Sequence, residues 1–327
     1  MSNIINECVI VNVECSIWTA KARLTRDDLD AATVAALPPE TLTSLGSKQL
    51  VDPQLLKPII AVKSRMFRYM DTHGVKFLGG WIIDKANVDA VTDELQLMAQ
   101  DYDAAVRQFL QDYDAHCREW LDQFPQWASI LQPALPSEAK LRSKFRFYFQ
   151  MYTVQPVESS QPAANNNLKD TLSSLGDTAL NELAAMLRRL RDETFKPDRT
   201  KFTRRAFNAF DDVRAKCRAV SFLHPSVVAL EMVLRGMSRI YAGQTDSLPA
   251  MQTVGNLLEA LADPVAIDRI CGKYADGTQN IADVMSPFQA AVSAPAMPQP
   301  EPVEAPTMTV PNVASINRLA NMMRGFV

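Results

Sequence analysis

VDAVTDELQLMAQDYDAAVRQFLQDYDAHCREW, residues 88–120, is the stretch on which the fold of this chain turns. Val88, Val91, Leu95, Met98, Tyr102, Val106, Phe109, Tyr113, Cys117 and Trp120 recur at alternating steps of three and four, which is one stripe of a 3.6-residue helix. Almost every position off the stripe is polar or acidic. Neither Gly nor Pro interrupts Lys85 to Asp122, so the pattern predicts a single helix of roughly 55 Å at about 1.5 Å per residue. That length belongs with coiled coils and assembly scaffolds.

The flanks read as strands and shorter helices. Val9, Val11, Val13, Cys15 and Ile17 alternate with Ile10, Asn12, Glu14 and Ser16, the period of a strand. Thr25 is placed to cap a short helix that Pro38-Pro39 stops. A helix over Pro53–His73 ends at Gly74, and a strand over Val75–Ile83 carries a bulge or close backbone approach at Gly79-Gly80. Phe145, Phe147, Phe149 and Met151 line one face of a third strand. Large aromatics in alternation are read as core, more than as a base-stacking surface. Three strands make a small antiparallel sheet with helices packed on one side.

A second long helix is expected from Leu168 to about Thr194, with Leu172, Leu175, Ala179, Leu183, Met186 and Leu190 as its seam. Others follow at Lys201–Val220, Pro225–Tyr241 and Leu248–Leu261, and one after Pro264. The fold class is therefore α+β and mainly helical, with long antiparallel coiled-coil-like helices and a small antiparallel sheet. Residues 1–157 would hold the sheet and the acidic helix, and 168–284 a helical region packed on them. Seven prolines between Pro287 and Pro311 make 285–312 a Pro-rich tether. Within 313–327, Ile316, Leu319, Met322, Met323 and Phe326 share one face of an amphipathic docking helix. It is too short to be stable alone in water and is expected to need a partner surface.

Charge is uneven. The chain of 327 residues has a net charge of −3, which by itself argues for neither nucleic acid nor an anionic membrane. Asp84–Asp122 holds ten acids against three bases, net −7, while Arg188–Arg218 holds eleven bases against five acids, net +6. Opposite signs of this kind suit helices that pair. Within the basic segment Arg204, Phe207, Arg214 and Arg218 form a stripe off the core face that would suit a nucleic-acid or partner patch. Asp211 lies in the same stripe, and Asp212 is one turn from Lys216.

Motifs for chemistry are missing. The chain contains no GxxxxGK[ST] loop, GxGxxG turn, GxSxG elbow or HExxH helix. His73, His116 and His224 are far apart, at element ends or on the seam, where structural roles are expected. Asp101-Tyr-Asp-Ala and Asp112-Tyr-Asp-Ala repeat at eleven residues. That interval is three nearly whole turns, so the repeat keeps both tyrosines on the seam instead of building a calcium loop. Five cysteines without a CxxC pair fit a reduced, cytoplasmic protein. No metal, cofactor or membrane span is implied.

Val9-Ile-Val-Asn-Val-Glu-Cys-Ser-Ile-Trp18, the turn into Asp28-Leu29, and Gly74-Val-Lys-Phe-Leu-Gly-Gly-Trp81 resemble an uncharacterised family, a domain of unknown function from phages, plasmids and integrative conjugative elements. The resemblance runs through the Phe-rich strand toward residue 240. Such families look like accessory proteins encoded beside a MoxR-like AAA+ ATPase and a von Willebrand A-type protein. The resemblance implies work with a remodelling machine and defines no catalytic residues. The expectation is a non-enzymatic adaptor or assembly subunit of a mobile genetic element, with protein partners and a homo-oligomeric state in view. The alternative is a nucleic-acid-binding accessory in phage or plasmid DNA processing.

Overall fold

The computed structural model describes residues 7–155, 163–195, 204–241 and 248–275, with Asp283 and Pro287 as isolated positions. All of these lie in one unit, Met1–Val292. The expected tether and docking helix, with Ile316, Leu319, Met322, Met323 and Phe326, lie outside the described residues.

The first strand forms where the alternation predicts it, as β1 (Cys8–Ser16). β2 (Lys21–Arg23) and β3 (Ser47–Gln49) pair as a separate two-stranded ribbon around α1 (Ala31–Ala36). Thr25 caps a single 3-10 turn, its N–H and hydroxyl both donating to Asp28 at 2.8 and 3.0 Å. α2 (Lys57–His73) then leads into β4 (Val75–Phe77) and β5 (Gly80–Asp84). α3 (Val88–Gln111), α4 (Tyr113–Gln123), α5 (Ala128–Leu131) and α6 (Glu138–Arg142) precede β6 (Arg146–Tyr152). The rest is helical: α7 (Ala163–Ser173), α8 (Leu175–Thr194), α9 (Arg204–Val220), α10 (Pro225–Tyr241), α11 (Leu248–Ala260) and α12 (Pro264–Ala275). The protein is thus mainly helical around a small antiparallel sheet, as the periodicities require.

The sheet runs β4-β5-β1-β6, every neighbour antiparallel. Helices cover both of its faces, not one. Val9, Val11 and Cys15 of β1 join Trp81, Ile83, the α3 seam and α2 in one buried cluster. Cys8 and Ile10, pointing the opposite way, join Phe77, Ile82 and the seams of α8, α9 and α10 in another. The sequence concealed this second layer because β1 shows only two apolar residues on that side. Its farther positions there, Asn12, Glu14 and Ser16, are polar and half-buried.

The two long helices therefore lie against opposite faces of the sheet. Each is also divided. The acidic helix breaks at Asp112, which takes φ −97° and ψ 4°. Asp is a poor helix former whose side chain competes for local hydrogen bonds, and Gln108 Nε2 donates to its carboxylate at 2.5 Å. The break keeps Tyr113 in the core, edge-on to Trp18, with its hydroxyl donating to Pro136 O at 3.1 Å. The second long helix divides at Ser174, and just beyond it a Cβ on Gly176 would lie 3.1 Å from Leu223 O and the His224 ring.

Three glycines and Leu78 set the β4–β5 hairpin. Gly74 ends α2 in extended conformation, where a Cβ would stand 2.8 Å from Ile82 O. Leu78 and Gly79 form a two-residue turn with φ 45° and 80°, in place of the expected bulge. Two positive φ values are what a type I′ hairpin demands, and Leu is ill suited to the first of them. Gly80 supplies the close approach, since a Cβ there would sit 2.5 Å from Val11 O. Replacing Gly80 with Ala should cost more than about 2 kcal/mol, by forcing β5 away from β1. Leu78→Asn should instead stabilise by up to about 1 kcal/mol, because Asn tolerates the left-handed region and Leu78 is mostly exposed. Urea midpoints of the two variants, at unchanged slope, test both signs.

Candidate functional site

Two arginines of the α9 basic stripe, Arg214 and Arg218, are paired within the protein. Arg214 donates to Glu231 of α10 through Nε and Nη2, each at 3.3 Å, and pairs with Asp211 at 3.0 Å. Arg218 reaches the same Glu231 oxygen at 3.1 Å, and Arg235 takes the other at 2.8 Å. Glu231 is almost wholly buried, so its charge needs this compensation. Three arginines less two carboxylates leave that cluster at net +1. Of Arg204 and Phe207 only the helical backbone is described.

Other bases of the segment are engaged as well. Arg188 donates to Ala262 O, Arg189 pairs with Glu193, and Arg191 pairs with Asp192 and Glu259. Lys216 does not pair with Asp212. Its ammonium is 1% exposed and donates to Asp71 O at 2.6 Å and Gly74 O at 2.5 Å, with Glu182 at 2.7 Å. All three N–H bonds are satisfied, and they clamp α9 to the α2–β4 corner and to α8. Among the described residues no ion pair joins the acidic helix to the basic segment.

The remaining polar groups that suggest chemistry are mostly structural. His73 Nδ1 lies 2.8 Å from Tyr69 O and its ring stacks on Tyr69. His224, Ser226 and Asp268 have the composition of a hydrolytic triad but not its geometry. The Ser226 hydroxyl donates to Asp268 at 2.8 Å, and His224 Nδ1 takes the Ser226 backbone N–H at 3.3 Å. Ser226 is 1% exposed, so the group caps α10 and presents no nucleophile. No cluster of three or more His, Cys, Asp or Glu side chains among the described residues is placed to hold a metal. Tyr102 and Tyr113 of the Asp-Tyr-Asp repeat are buried, with Tyr102 donating to Ser16 O.

One recess stands apart. Gln54, Leu55 and Pro58, just before and at the start of α2, face Ala105, Gln108, Phe109, Asp112 and His116 across a cavity of about 360 Å³. It opens where the acidic helix breaks. His116 lies over Phe109 with ring centres 6.2 Å apart and planes at 28°. Its Nδ1 is sealed from solvent without a hydrogen-bond partner, and the nearest carboxylate, Glu119, is 4.0 Å away. A buried nitrogen left unpaired costs free energy. Apolar walls with a carboxylate and two amides at the rim suit binding. The spacing Asp112-x-x-x-His116 was the sequence signal for it, hidden because both residues also sit beside the seam.

The chain belongs to the family described as "Protein of unknown function (DUF3150)", which matches residues 5–262. Comparison with curated proteins and with solved structures found no match. No described helix is long and apolar enough to cross a membrane.

All five cysteines are buried and none forms a disulfide. Burial pushes Cys15 up to about 11 and Cys217 and Cys271 up to about 12, and it raises Cys8 and Cys117 as well. A raised thiol pKa keeps the unreactive protonated form at pH 8. A thiol-disulfide reagent at pH 8 should therefore label none of them in the native protein and all five after unfolding. Lys216→Ala should lower stability by about 3 kcal/mol, because it strands the buried Gly74 carbonyl and leaves Asp71 O and Glu182 without their partner. Equilibrium urea unfolding measures that loss.

Proposed function

We propose that this chain is a non-enzymatic adaptor or assembly subunit encoded by a phage, plasmid or conjugative element, working with a MoxR-like AAA+ ATPase and a von Willebrand A-type protein. The observation that carries the reading is the recess at the bend of the acidic helix. It combines apolar walls with the Asp112 carboxylate on a segment of net charge −7. Such a site accepts an apolar or basic side chain from a partner segment, and the surrounding acids steer its approach. The sequence of 313–327 adds a second contact: Ile316, Leu319, Met322, Met323 and Phe326 supply an apolar face on a Pro-rich leash. Linking two weak contacts in this way raises overall affinity through effective concentration. The pairing of Arg214 and Arg218 with Glu231 lowers the net positive charge the stripe offers to phosphate, which favours the adaptor reading over the nucleic-acid alternative.

The test uses the purified chain and the purified ATPase of the same element. Gln108→Arg places a cation at the exposed rim beside Asp112 and should leave folding intact. It should weaken ATPase binding by tenfold or more, as should removal of residues 286–327 with an unchanged urea midpoint. Binding unaffected by both changes, or nucleotide hydrolysis by this chain alone, would overturn the proposal.

A further inference from the structure

The sheet has two edges, and they are built differently. β4 at one edge is only three residues long and ends in a tight turn. β6 at the other edge runs seven residues without a bulge, in unbroken register with β1 from Tyr152 opposite Ile10 to Arg146 opposite Ser16. It contains no Pro, no Lys and no acid, and four of its seven residues are aromatic. Folded proteins ordinarily shield such an edge with short strands, bulges, prolines or charges. Among the described residues no strand pairs with the outer side of β6.

The direction of its backbone groups follows from two contacts. Arg146 N–H donates to the Tyr102 hydroxyl, which itself donates to Ser16 O, so residue 146 turns its polar backbone toward β1. On the far side of β1, Val11 O faces Gly80 of β5, which leaves the even-numbered residues of β1 to bond β6. Alternation then turns the N–H and C=O groups of Phe147, Phe149 and Met151 to the open edge. On the sheet face shared with Ile10, Tyr148 and Tyr152 are each 39% exposed. Arg146 lies 5.9 Å over Tyr148 and pairs with Glu14 at 3.2 Å.

We infer that β6 is a dimerisation edge whose occupant is β6 of a second copy of this chain, antiparallel about a two-fold axis through Phe149. That register brings outward-facing groups together at Phe149 with Phe149, and at Phe147 with Met151, for about six backbone hydrogen bonds. On the core face it sets ring against ring and ring against thioether, both favourable. On the opposite face Arg146 meets the Tyr152 ring of the second copy, and Tyr148 meets Gln150. The only formal charge on the strand thus faces an aromatic ring and no like charge. The same seven residues complement themselves, which is what a two-fold interface requires. The result is one eight-stranded sheet. This inference stands independently of the recess and of the ATPase.

Sedimentation of the full chain over a concentration series should show a monomer–dimer equilibrium. Amide exchange should show Phe147, Phe149 and Met151 gaining protection as concentration rises, while Tyr148 and Gln150 stay protected throughout. Tyr152→Arg sets like charges opposite Arg146 twice and should raise the dimer Kd on the order of tenfold. Tyr152→Glu sets opposite charges there and should leave the Kd equal or lower. A monomer at every concentration would overturn the inference. So would a dimer in which those three amides exchange freely, protection of the three that dilution does not change, or equal response to the two substitutions.

Discussion

Everything in this structure hangs on β1 being buried on both faces. A strand with helices on one side can leave its other side to water, but Cys8, Val9, Ile10 and Val11 are all nearly inaccessible. That burial binds the amino-terminal segment to two helical layers at once, one carrying the α3 seam and the other α8, α9 and α10. The cost of ordering each layer is offset only when the other is in place, so the two should behave as one cooperative unit. The Lys216 clamp expresses the same dependence in polar form. A single ammonium from α9 satisfies two carbonyls at the α2–β4 corner, 142 and 145 residues away in sequence.

Polar groups in the interior are mostly consumed in this joining. Tyr102 places its hydroxyl at the end of the β1–β6 ladder, accepting from one strand and donating to the other. Trp120 Nε1 bonds Gln49 O and ties α4 to the small ribbon. Trp81 Nε1 bonds Asp71, while the Lys76 ammonium sits 3.3 Å over the same indole. Buried donors handled in this way rigidify a core. Against that background the unpaired Nδ1 of His116 is an exception with a place in the architecture, at the one bend of the acidic helix.

The proposed contacts are the recess, the open edge of β6, and a tail segment known from its sequence alone. An adaptor with more than one contact segment can engage more than one partner. Its acidic helix would then act on association rate and orientation more than on affinity.

Periodicity alone determined the elements. The α3–α4 seam was legible residue by residue, from Val91 to Cys117, because a 3.6-residue stripe depends only on local spacing. The same held for the two faces of β1, the aromatic face of β6 and the starts of α10 and α12 at prolines. Tertiary structure alone decided what each face meets. Long-range packing set the second helical layer, the breaks at Asp112 and Ser174 and the role of Gly80, since those positions answer to atoms far away in sequence. It also decided which charges meet: Glu231 of another helix pairs with Arg214 and Arg218 from the basic run, because burying that carboxylate demands paired positive charge.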